Sequence, residues 1–271
     1  MAVTQLLKKV KRSLKAVLMK VNRLANSFRY LFRKPIVTSE MSKEAHLLVV
    51  KKNIYAPIAK ICIESFLHFH PRSWVVVHVD SITADDVSKK LKRAIARGKV
   101  KILRIDNENL PWQELKLGLI LALGDEQKFF MDADLKWNGP MPSISNITLF
   151  VNEFKFRHNP FYSPLFDNKY FERYFDFSMK NTSFFYWGNH TPKKNYEFLI
   201  HEIMNEVLTA TDNSSNSEEF NSSTRRISEQ IALSLLVEST GEEVDFLKQS
   251  DGFKDGSFVE SSYFGATGSS F

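Results

Sequence analysis

Lys128-Phe-Phe-Met-Asp-Ala-Asp-Leu-Lys-Trp-Asn-Gly-Pro-Met-Pro142 is the stretch whose reading decides the fold. Phe129, Phe130 and Met131 form an apolar run with the composition of a buried strand, and Gly139, Pro140 and Pro142 stop regular structure after it. Between them stand Asp132 and Asp134, one residue apart. Alternate residues of a strand point the same way, so two such carboxylates at a strand's end can share a hard divalent cation.

Working backward, the same chemistry of short apolar runs and helical spacings repeats three times. His46–Val50 reads as a first strand, Asn53–Phe69 as a helix stopped by Pro71, and Trp74–Val79, nearly all β-branched, as a central strand covered on both faces. Ser81–Arg97 is the next helix, with Thr83 as its expected N-cap, Asp85 and Asp86 in its first turn and Gly98 at its end. Val100–Ile105 and Pro111–Leu123 complete a third strand and helix. Strands alternating with helices through short connections predict right-handed crossovers and a largely parallel sheet. Ligands of such sheets bind beyond the carboxyl ends of the strands, where Asn53, Asp80, Asp106 and Asp132/Asp134 all fall.

Working forward, residues 143–180 are rich in Phe and Tyr broken by charges and Pro160/Pro164, so part of that aromatic set is core. Asn181–Gly188 reads as a strand and turn, Tyr196–Leu208 as an amphipathic helix, and Asp212–Thr224, nearly all Ser, Asn and Glu, as a loop. Ser228-Glu229-Gln230 opens a helix that ends near Glu238.

The chain has 271 residues, 43% of them hydrophobic, enough for one sizeable core. Its lone cysteine, Cys62, sits in an apolar helical pattern, excludes an intrachain disulfide framework and fits a reducing, cytoplasmic setting. The net charge of +6 is misleading. Residues 1–34 contain six Lys and four Arg without an acid, which leaves −4 (6 − 10) for the rest. The body is therefore not expected to bind nucleic acid. Its histidines show no metal-ligand spacing, so zinc is not expected either.

Residues 1–35 are expected to form a basic amphipathic helix. Leu7, Val10, Leu14, Val17, Val21, Leu24, Phe28 and Leu31 recur at steps of three and four, with cations over much of the remaining surface. That pattern suits an anionic membrane surface, where each nearby cation adds about 1 kcal/mol. A coiled-coil seam, a helix packed on the body and an organelle transit peptide share the same spacing and stay open. No run approaches the ~18–20 apolar residues of a membrane span, and the apolar core of a secretory signal is missing.

At this point the chain resembles a known group, the nucleotide-sugar-dependent glycosyltransferases of the A-type (GT-A) fold. The resemblance rests on the strand–helix order ending in Asp132-Ala-Asp134, on the run from Lys52-Asn-Ile-Tyr through Ser65-Phe-Leu-His-Phe-His-Pro71 to His78-Val-Asp80, and on the Trp112/Lys116 helix. It covers residues 46–142 closely and 175–268 more loosely. It implies an α/β fold, Rossmann-like and mostly parallel with flanking helices, in one domain over 44–271. Residues 44–142 would bind the nucleotide sugar and 143–271 the carbohydrate or glycolipid acceptor. It further implies that Asp134 holds Mn²⁺ or Mg²⁺, that Asp132 reaches the metal or the ribose, that Asp80 contacts the nucleoside, that Asn53 lines the base pocket, and that Lys116 approaches the diphosphate. Glu229 would be the general base that takes the acceptor's proton.

Plainer roles exist for the same residues. Asp80 can cap a helix, Lys116 can be a solvated helix residue, and an early helical Glu such as Glu229 is favoured by the helix dipole alone. The family's C-terminal segment often opens with a metal-binding His, and this chain has Ser262 there, before Tyr263-Phe-Gly-Ala-Thr-Gly268. Two other functions fit parts of the pattern: a membrane-tethered binding protein that keeps the fold without catalysis, and a phosphohydrolase with an Asp-x-Asp motif. The phosphohydrolase would carry its motif on the first core strand followed by Thr or Val, where this chain has three earlier strand–helix units and Lys136.

Overall fold

The structure is a computed structural model and describes residues 42–50, 55–106, 109–124, 128–137, 139–141, 144–150, 156–158, 160–188, 195–241, 243–247 and 259–261. The expected N-terminal helix over 1–35, Asn53 and Ser262 lie outside the described residues.

The chain alternates β1 (Glu44–Val49), α1 (Tyr55–Phe69), β2 (Trp74–Val79), α2 (Ser81–Ala96), β3 (Val100–Arg104), α3 (Trp112–Ala122) and β4 (Lys128–Met131). The short strands β5 (Leu135–Trp137) and β6 (Ile147–Phe150) follow, then three 3-10 turns and β7 (Asn181–Tyr186). Helices α4 (Tyr196–Asn213), α5 (Glu218–Arg226) and α6 (Ser228–Thr240) precede β8 (Val244–Leu247) and β9 (Val259–Ser261). A seven-stranded sheet runs in the order β3-β2-β1-β4-β7-β6-β8. Strands β3, β2, β1 and β4 pair in parallel, as the crossovers require, while β7 runs antiparallel to both β4 and β6.

Period-two alternation explains why the strands read as unbroken apolar runs. Ala45, Leu47, Val49, Val75, Val77, Val79, Phe129, Met131, Phe184 and Tyr186 face a core shared with α1 and α2. Phe130, Phe185 and Trp187 face a second core with α3, α4 and α6. Both faces of β4 and β7 are thus dry. Each fully buried Phe contributes about 2 kcal/mol of transfer free energy. Phe156, Tyr162 and Phe171 are buried in the second core, with the Phe156 and Tyr162 rings stacked at 5.0 Å. This accounts for part of the aromatic set between 143 and 180.

Three expectations are corrected. Thr83 is not the N-cap of α2. Asp80 is, with extended backbone (φ −78°, ψ 169°) and a carboxylate that accepts from the Thr83 N–H at 2.8 Å. The helix starts at Ser81, as the sequence suggested, and not after Thr83, so Asp85 and Asp86 fall beyond its first turn. Asp80 directly follows β2, where an acid with extended backbone satisfies an orphan N–H at once.

The helix α4 runs on to Asn213, past the expected end at Leu208. The segment read as a loop, 212–224, then contains most of α5. Ser217 caps that helix by accepting from the Phe220 N–H. Glu218 and Glu219 in its first turn and Arg225 and Arg226 in its last oppose the helix dipole correctly. A low apolar content hid these end signals. The Gly98 stop is as expected, with φ +66° after α2.

Candidate active site

The strand β4 and the helices α3 and α6 converge on the Asp-Ala-Asp turn. The ladder continues one residue past β4, because the Asp132 N–H donates to the Ser183 carbonyl of β7 at 2.7 Å. The Leu135 N–H then donates back to the Asp132 carbonyl at 3.3 Å and closes the turn. Ala133 is buried, and Cys62 of α1 lies behind the turn with its Sγ–H directed to the Asp132 carbonyl at 3.5 Å. The turn is therefore held from both sides by packed elements, and the two carboxylates project at the rim of the parallel half of the sheet.

Lys116, on α3, is not a solvated helix residue. It is 3% exposed, and its Nζ lies 3.0 Å from Asp132 Oδ1, 3.2 Å from Oδ2 and 3.6 Å from Glu229 Oε1. The ammonium also sits 5.1 Å above the Phe130 ring. Burial works against its charge, yet Asp132 and Glu229 outweigh burial and hold its pKa above the ordinary lysine value.

Glu229, in the first turn of α6, is 5% exposed, and its Oε2 has no hydrogen-bond partner among the described residues. Burial pushes its pKa up to about 7; Lys116 opposes the rise and the charge on Asp132 adds to it. A salt-bridged acid would ordinarily move down. Here the ammonium stands closer to Asp132, and burial wins at Glu229. Burial, and then the neighbouring charge of Asp132, likewise lift Asp134 to about 7, against the pull of Lys116.

The sequence-predicted residues divide as follows. Lys116, Asp132, Asp134 and Glu229 come together. Asp80 stands at the end of β2 on the same rim, with its carboxylate capping α2. Asp106, just past β3, is exposed. Two neighbours were missed by sequence reasoning: Gln230 Nε2 donates to the Tyr162 hydroxyl at 3.5 Å, beside Glu229. Tyr162 lay inside an aromatic run with nothing to set it apart from core.

Three acids surround one lysine, so the cluster is rich in carboxyl oxygens. Its oxygen donors, two carboxylates at alternate positions, suit a hard cation such as Mg²⁺ or Mn²⁺. Among the described residues, no group of three His, Cys, Asp or Glu side chains is placed to hold a metal. Asp132 and Asp134 are the residues that could hold such a cation, and Lys116 stands against both oxygens of Asp132.

No family model matches the chain, and no curated protein matches it. Among solved structures the chain is similar to mouse xyloside xylosyltransferase 1 in its apo form, at 12% identity over 76% of this chain and 85% of that one, with a TM-score of 0.43. It is also similar to the galactosyltransferase LgtC in complex with donor and acceptor sugar analogs, at 12% identity over 67% of this chain and 69% of that one, TM-score 0.45. A third likeness is to the bifunctional glycosyltransferase WbbM, at 10% identity over 79% of this chain and 40% of that one, TM-score 0.43.

Proposed function

We propose that the chain is a glycosyltransferase that moves a sugar from a nucleotide-diphosphate donor to the hydroxyl of a carbohydrate or glycolipid acceptor. One observation carries the reading: a buried lysine ties an Asp-x-Asp turn at the end of a sheet strand to a buried, partly unsatisfied glutamate at the start of a helix. Sugar transfer needs positive charge where the diphosphate leaves and a base where the acceptor arrives. The cluster supplies both within one contact network.

Asp134 and Asp132 would hold Mg²⁺ or Mn²⁺, which supplies neutralisation of the departing diphosphate. Lys116 adds a fixed charge, kept protonated by its two acids. Glu229 would take the acceptor hydroxyl's proton as the oxygen bonds to the sugar carbon and the diphosphate oxygen leaves. A base with a pKa near 7 suits that task at neutral pH. Asp80 and Asn53 would contact the nucleoside along the same rim. Residues 1–34 would rest on an anionic membrane surface. Among the described residues no helix is long and apolar enough to cross a membrane.

The test is protection of the purified chain against heat by UDP- and GDP-sugars, with and without Mn²⁺. Metal-dependent protection that disappears in Asp134→Ala supports the reading, and indifference to every nucleotide sugar overturns it. A second reading, a binding protein on the same fold without catalysis, is favoured by Lys116 occupying both oxygens of Asp132. It predicts protection without metal and no transfer.

A further inference from the structure

Beyond the Asp-Ala-Asp turn the chain leaves the main sheet, and the end of α1 guides its path. The strand β5 pairs with β9 in a separate two-stranded ribbon. Its Leu135 and Trp137 are fully buried, and the Trp137 ring stands 5.4 Å from that of Phe66 and 5.3 Å from that of His70. Three side chains in α1 or just past it meet backbone atoms of this segment in order. Cys62 directs its thiol to the Asp132 carbonyl at 3.5 Å. The Ser65 hydroxyl accepts from the Trp137 N–H at 2.9 Å, and His70 Nε2 accepts from the Met141 N–H at 2.8 Å.

Both acceptors are fixed by what lies behind them. The Ser65 hydroxyl donates to the Cys62 carbonyl at 2.8 Å, which leaves its oxygen to accept from Trp137. His70 Nδ1 lies 3.0 Å from the Phe66 carbonyl while Nε2 faces the Met141 N–H. A carbonyl can only accept and an amide N–H can only donate, so the ring is neutral and carries its proton on Nδ1. It stacks on Phe66 at 4.5 Å, and burial keeps its pKa down at about 4. Ser65 and His70 are both buried, so losing either acceptor leaves a backbone N–H without a partner and not simply rehydrated.

Asp134 is the residue before β5, so the place of β5 governs where its carboxylate points. Two carboxylates one residue apart repel each other, and the repulsion favours an open turn. A site for a cation and a diphosphate keeps its affinity when its ligands are already held near the bound geometry. Asp132 is anchored upstream, by its ladder bond to the Ser183 carbonyl and by Lys116. Asp134 is anchored downstream, through the two N–H groups that Ser65 and His70 accept.

We propose that Ser65 and His70 are positioning residues for the nucleotide sugar: by accepting the Trp137 and Met141 N–H groups they hold β5 on α1 and keep Asp134 beside Asp132 for the metal and the diphosphate. The role rests on the glycosyltransferase reading, which supplies the ligand to be positioned for. Both side chains are buried behind β5, so they act through the turn and not by touching the ligand. A plainer role, filling the core beside Phe66 and Trp137, makes a different prediction. Packing depends on the volume of the ring, whereas positioning depends on one acceptor atom.

The test is calorimetric binding of Mn²⁺ with UDP, and of Mn²⁺ with GDP, to the full chain well below its unfolding temperature. His70→Gln puts a carbonyl where Nε2 stands. His70→Asn reaches only as far as Nδ1 and loses the acceptor for Met141, and both variants lose the ring. The Gln variant should bind close to wild type, while His70→Asn and Ser65→Ala should each bind about tenfold or more weakly. Hydrogen exchange of the Met141 amide should speed up in His70→Asn while amides of β1 and β2 keep their protection, showing that the fold stands. Equal affinity in the Gln and Asn variants, both lowered or both like wild type, overturns the positioning role and leaves the glycosyltransferase reading in place. A wild-type chain that binds neither metal–nucleotide overturns that reading and this role with it.

Discussion

The Lys116 ammonium lies 3.0 Å from one oxygen of Asp132 and 3.2 Å from the other, so a helix and the end of the strand that follows it are joined by a forked ion pair. The same nitrogen reaches Glu229 on a third element. Removing it strands two acids in a site where Lys116 and Glu229 have side chains only 4% and 6% exposed. Lys116→Met is expected to cost about 3 kcal/mol at pH 8, measured by urea unfolding, because breaking a buried pair leaves its partner's charge uncompensated. The loss should shrink at pH 5, below the pKa of about 7 of Glu229, where that stranded carboxyl carries a proton and its charge is gone. An equal loss at both pH values would mean that packing, not charge, is what Lys116 supplies.

Glu229 has a folded pKa of about 7 against an ordinary 4.5. The folded state then binds this proton more tightly than the unfolded chain does. Its contribution to stability is fully present below about 4.5 and is lost as pH rises through about 7. Glu229→Gln removes the titration and should flatten this part of the profile between pH 5 and 8. If Glu229 is also the base, the variant keeps nucleotide-sugar protection while transfer to acceptor falls about 100-fold or more. Loss of donor protection together with transfer would place Glu229 on the donor instead.

The histidines should act in the opposite direction. His46 Nδ1 and His78 Nε2 share a hydrogen bond at 2.9 Å, and His46 Nε2 bonds Glu44 at 2.6 Å. Burial, and then the neighbouring His46, lower His78 to about 4 from an ordinary 6.5. A lowered base pKa means that the unfolded chain binds the proton first. Stability is present above about 6.5 and falls as pH drops toward about 4. His78→Gln should lessen the acid loss in unfolding midpoints taken at pH 7, 6 and 5, and a slope equal to wild type would remove His78 from the account.

The parallel half of the fold was legible because its signals are local. Trp74–Val79 was read to the residue, and β4 and α3 to within one residue at each end. The apolar strands, the Gly98 stop and the Asp-Ala-Asp ending all depend on neighbours in sequence. Glu229 and Lys116 were each singled out, but not as partners, because their contact depends on how α3 and α6 pack across the sheet. The least legible element was α5. Its helix is held by Ser217 at the start and by Arg225, which reaches Asp212 at 2.6 Å and the Thr211 hydroxyl at 3.1 Å on α4. Such tertiary staples leave no periodic apolar trace.

That staple gives the last expectation. Arg225 ties α5 to the end of α4 through Thr211 and Asp212, and its own carbonyl accepts from Gln113 of α3 at 3.5 Å. The segment sits next to α6, whose first turn carries Glu229, so loosening it reaches the site through packing. Ser217→Ala should cost about 1 kcal/mol by losing the cap. The exposed pair with Asp212 adds at most about 1 kcal/mol, so Arg225→Ala acts mainly through its part-buried bond to Thr211. Hydrogen exchange of the α5 amides should speed up in both variants while α1 and α2 keep their protection, because those helices pack on the other face of the sheet. If amides throughout the protein speed up equally, α5 belongs to the global folding unit and is no local appendage to the site.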